Sequence, residues 1–64
     1  MRIRYKIIIG NPMGCHFAEY CELEDYAKMR ARDWRDGMTP REVTLQRIEF
    51  PLGPGEVKIT TLTF

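Results

Sequence analysis

The sequence predicts an α+β fold: an antiparallel sheet of four strands, or three, with one helix packed on one face and elements in the order β-β-α-β-β. Three observations carry this. Residues 2–9 are apolar at every odd position and cationic at three of the four even ones, residues 23–36 lack any Gly, Pro or β-branched side chain, and two turn-forming clusters interrupt stretches rich in β-formers. The 64 residues read as one domain, 1–64. A chain of this size buries only about 60% of the surface its unfolded form exposes, so its stability is modest.

The first strand is the clearest. Ile3, Tyr5, Ile7 and Ile9 fall on one face, and Arg2, Arg4 and Lys6 on the other. That is period two with one face buried. Gly10-Asn11-Pro12-Met13-Gly14 then marks a turn. Cys15 to Cys21 follows as strand or loop, with Cys15, Phe17, Glu19 and Cys21 opposite His16, Ala18 and Tyr20.

The helix is expected from Leu23 to Asp36. Leu23, Ala27, Ala31 and Trp34 make its apolar stripe, and the two alanines allow close approach to the sheet. Glu22, Glu24 and Asp25 crowd the first turn and Arg35 the last, as the helix dipole favours. Gly37 ends it and Pro40 bars continuation.

Arg41 to Phe50 reads as a third strand whose apolar positions change phase between Val43/Leu45 and Ile48/Phe50. A β-bulge near Gln46 or Arg47 would explain the change, as would burial on both faces at one end. Pro51-Leu52-Gly53-Pro54-Gly55 is a second turn, and Glu56 to Phe64 the last strand, with Val57, Ile59 and Thr61 opposite Lys58, Thr60 and Leu62. The expected core is Ile3, Tyr5, Ile7, Phe17, Leu23, Ala27, Ala31, Trp34, Val43, Leu45, Val57 and Ile59. Met13, Met29, Met38, Ile8, Leu52, Leu62 and Phe64 are left without a place in it. Such a surplus points to a partner chain, or to a homodimer through a sheet edge, with packing of some of them under the two turns as the plainer alternative.

Composition removes several chemistries. The chain has no serine and a single histidine, His16, so a Ser-His-acid triad is excluded. Cys15 and His16 are neighbours whose side chains diverge on a strand. The five glycines fit no phosphate-loop spacing. The sequence reads as non-enzymatic and calls for no cofactor. Zinc on Cys15, His16 and Cys21 would have three ligands at an unfamiliar spacing, so structural cysteines are the preferred reading. Two free thiols fit a reducing, cytosolic setting. No apolar run approaches membrane-spanning length, and the charged first ten residues differ from a signal peptide.

Net charge is +1, which hides a segregation along the chain. Residues 1–13 carry +3, 14–27 carry −4, 28–41 carry +3 and 42–64 carry −1. A dipolar surface of this kind orients a charged partner. One helix covers one sheet face, so Arg2, Arg4, Lys6 and Lys58 should line the other, with Tyr20 and His16 as flat rings. Lys28, Arg32 and Arg35 make a second basic stripe on the outer side of the helix. The candidate partner-binding residues are therefore Arg2, Arg4, Lys6, Tyr20, Lys28, Arg32, Arg35 and Lys58. The plainer alternative is that these charges only solvate their faces and protect sheet edges.

Three stretches also resemble a known layout. They are Tyr5-Lys6-Ile7, then Cys21-Glu22-Leu23-Glu24-Asp25-Tyr26-Ala27-Lys28, and Leu45-Gln46-Arg47-Ile48-Glu49. The pattern is similar to very small phage-encoded accessory proteins, including a type I anti-CRISPR of comparable size. The resemblance carries no signature motif and assigns no particular residue. It implies a non-enzymatic inhibitor in the bacterial host cytoplasm that occupies the nucleic-acid path of a CRISPR surveillance complex. The expected partner is thus a protein or nucleoprotein complex. Direct nucleic-acid binding and a toxin–antitoxin-type oligomeric subunit stand as alternatives.

Overall fold

A computed structural model describes residues 1–10, 14, 16–37 and 41–64. Strands β1 (Arg2–Gly10) and β2 (His16–Cys21) precede helix α1 (Glu24–Arg35), and strands β3 (Val43–Phe50) and β4 (Lys58–Leu62) follow it. The four strands form one antiparallel sheet in the order β2-β1-β3-β4. This is the expected α+β class and element order. The first turn at Asn11, Pro12 and Met13, the Cys15 thiol, Met38 and the helix-stopping Pro40 lie outside the described residues.

The alternation of β1 sets the two faces. Tyr5, Ile7 and Ile9 are buried and turn toward α1, together with half-buried Ile3. Ala27 and Ala31 are fully buried against them, because small side chains let the helix backbone settle close to the sheet. Cys21 and Leu45 complete the buried cluster, with Trp34, Val43, Leu62 and Phe64 packed at its margin. The helix lies over β1, β2 and β3 and leaves β4 outside its footprint.

Several expectations need correction. The helix begins one residue after Leu23, which is extended (φ −113°, ψ 130°) and 71% exposed at the N-cap. Its carbonyl still accepts the Ala27 N–H, but its side chain has left the helical stripe. β3 contains no bulge: its pairing with β1 runs unbroken from Arg2↔Phe50 to Ile9↔Val43. Val43 and Leu45 therefore face the helix, while Ile48 and Phe50 face the opposite side. The phase change is two-faced burial, the second of the two explanations.

The same register reverses β4. Ile59 pairs with Ile48 on the side away from the helix, and Lys58 pairs with Glu49 on the helix side. Lys58 is thus not on the open face, and Ile59, 57% exposed, is not core. Val57 precedes the strand and is exposed, and Phe17 keeps 40% of its surface while meeting Trp34 edge-on at 5.2 Å. Leu62 and Phe64, without a place in the expected core, fill the helix side instead.

Candidate docking face

The open face is built by the even positions of β1 and β2 and their cross-strand partners. Directly opposed residues in an antiparallel sheet share a face, so the register fixes its composition. One row runs Ile59, Ile48, Arg4; the next runs Thr61, Gln46, Lys6, Tyr20; then come Thr44, Ile8 and Ala18. Arg2 stands opposite Phe50 at one end and Gly10 opposite His16 at the other. No strand residue on this face is acidic. Glu22, one residue beyond β2, reaches Arg2 at 3.7 Å, and both side chains are well exposed.

Arg4, Lys6 and Tyr20 form the tightest group. The Arg4 guanidinium lies 5.0 Å from the Tyr20 ring centroid and the Lys6 ammonium 5.9 Å from it. Each such contact contributes about 0.5–1 kcal/mol at an exposed site, enough to orient the side chains but not to neutralise them. The Arg4 Nε is buried without a hydrogen-bond partner. Neither Arg4 nor Lys6 has a carboxylate partner among the described residues. Beside this cationic corner lies an apolar strip. Ile48 is only 9% exposed although it faces away from the helix, and Ile59 and Phe50 lie near it.

The helix cations are placed differently. Lys28 is 3.4 Å from Glu24, one turn earlier. Arg35 donates to Asp36 at 3.0 Å and to the Phe64 carbonyl at 2.6 Å, and its guanidinium stacks 4.9 Å from the Phe64 ring. Hydrogen bonding to Arg35 holds the Asp36 carboxyl below its ordinary range. Arg32 is exposed and forms no ion pair among the described residues. The eight candidates therefore divide into three groups. Arg2, Arg4, Lys6 and Tyr20 share the open face, Lys28, Arg32 and Arg35 belong to the helix across the sheet, and Lys58 is on the helix side of β4.

One polar centre was not singled out from the sequence. Glu19, between Phe17 and Cys21 on the helix side of β2, accepts two bonds from Arg30 at 3.1 and 2.6 Å. Trp34 Nε1 donates to the same carboxylate at 3.2 Å. The Arg30 hydrogen bonds hold Glu19 below its usual carboxylate range against an opposing cost of burial. The sequence signal was an acid at an inward position of an alternating strand, with Arg30 flanking the helix stripe. Burial, followed by the nearby Glu19 charge, pushes the Cys21 thiol upward.

His16 and Cys21 occupy opposite faces of β2, so one ion cannot take both without remodelling the strand. Among the described residues no three His, Cys, Asp or Glu side chains converge, and no helix is long and apolar enough to cross a membrane. No protein-family model, curated relative or solved structure matches this chain.

Proposed function

We propose that this protein is a non-enzymatic binding protein that docks its open sheet face on an anionic surface of a protein or nucleoprotein complex. The observation that supports it is the acid-free strand face holding Arg4 and Lys6 around Tyr20, beside Ile48, Phe50 and Ile59. Cations supply steering and register, while the aromatic and aliphatic strip supplies desolvated contact area. Docking of this kind would obstruct a nucleic-acid path, the mode of action that its resemblance to small phage inhibitors implies, in the cytoplasm of a bacterial host.

A direct reading is favoured by one further feature. Same-face side chains on a strand repeat at about 6.6 Å, so Arg2, Arg4 and Lys6 form a ladder of cations along β1. Such a ladder, with Tyr20 alongside, suits an extended single strand of nucleic acid.

The test compares the wild-type chain with the triple variant Arg2→Glu, Arg4→Glu, Lys6→Glu and with the helix control Arg32→Glu. Affinity capture from bacterial extract, with and without nuclease, should return the same partners with wild type and Arg32→Glu and none with the triple variant. Equal capture by the triple variant would refute the open face as the docking surface. Fluorescence anisotropy with a labelled single-stranded oligonucleotide separates the two readings. If three phosphates are neutralised directly, affinity falls about 20-fold between roughly 50 and 200 mM salt.

A further inference from the structure

We infer that β4 pairs edge to edge with β4 of a second copy, joining two sheets into one of eight strands. The strand ends the order β2-β1-β3-β4, so among the described residues no strand lies beside its outer N–H and C=O groups. The helix does not reach it, and Lys58 to Thr61 are exposed. Edges in monomeric proteins are commonly blunted by very short strands, by charges (Lys above all), by proline or by bulges, and of these β4 has its five-residue length and one lysine. β4 has no Pro, Gly or acid, its register with β3 is unbroken, and its only charge is Lys58 at the first position. That charge stands opposite Glu49 of its own sheet.

The strand is also complementary to itself. A two-fold axis perpendicular to the sheet at Thr60 aligns all five residues antiparallel. Lys58 then faces Leu62, Ile59 faces Thr61 and Thr60 faces its own copy, with no like charges opposed. This symmetry keeps both helices on one side and both basic faces on the other. It also brings Ile59, 57% exposed in one copy, to the seam. The other edge is less suited to such pairing, since Tyr20 there is engaged by Arg4 and Lys6 and Glu19 by Arg30. The seam shares Ile59 with the apolar strip of the docking face but takes no residue of the cationic corner, so the charge-reversal test of that corner and the Thr60 test here fail separately.

Sedimentation velocity on the full chain from low to high micromolar concentration should show a shift from 7.6 kDa toward twice that mass. Thr60→Glu and Thr60→Lys each place like charges across the axis, and each should weaken self-association roughly fivefold. Mixing the two variants should restore it, since the opposed charges then attract. Far-UV circular dichroism checks that each variant retains the fold. A wild-type chain that stays at single-chain mass throughout overturns the inference. Self-association that neither substitution alters also overturns it, as does a mixture no stronger than its components.

Discussion

Glu19 concentrates more of the polar energetics than any residue of the open face. Its two bonds from Arg30 and one from Trp34 tie β2 to α1 on the helix side of the sheet. Replacing Glu19 with Ala should cost about 1 kcal/mol, a value set by the pair's partial exposure rather than by its short distances. The pH dependence has a definite sign. Its folded carboxyl is held below the ordinary value of 4.5, so its stabilisation is fully present above that value and is lost as pH falls through the folded value. Urea titrations at neutral pH and near pH 3 should therefore show a Glu19→Ala deficit that shrinks in acid. A deficit that persists unchanged would place the contribution in packing. The sequence made the inward position of Glu19 legible through alternation, but not its partners, because that required the helix to be oriented over the sheet.

The helix shows which patterns transmit and which do not. Ala27 and Ala31 were readable as the contact stripe because a four-residue spacing has one structural meaning on a helix. Leu23 shares that spacing yet is exposed, since its backbone is extended and helical periodicity begins only at Glu24. Ala31→Leu should destabilise the fold by about 1–3 kcal/mol, as the added volume has no space beneath the helix. Leu23→Ala should change stability by less than about 0.5 kcal/mol. Thermal denaturation of the two variants measures the contrast, and equal losses would contradict this placement of the helix start. Strands behave likewise. β1 was legible because one face is apolar and the other charged, whereas β3 buries Leu45 on one side and Ile48 on the other. Alternation cannot phase a strand with two apolar faces. The uncertainty passed to β4, where it set Lys58 and Ile59 on the wrong sides.

The whole molecule is long and thin, 42 × 24 × 15 Å, with one helix covering three of its four strands. Charge is distributed accordingly: the acid-free face of β1 and β2 lies across the sheet from the acidic start of α1. Fold class and the half-open sheet followed from periodicity and composition. The apolar strip beside the cations did not, because it depends on how β3 and β4 are registered. Cys21, buried beneath the lid with its thiol pushed up by burial, gives this architecture a chemical clock. A thiolate must form and be reached before it can be alkylated, so Cys21 reacts only when the helix lifts from β2. In a Cys15→Ala background, the iodoacetamide labelling rate should be far below that of the urea-unfolded chain. It should rise when Arg30→Ala cuts the tether to Glu19, even though losing that cation leaves the thiol harder to ionise. Labelling as fast as in the unfolded chain would mean that the lid is open most of the time.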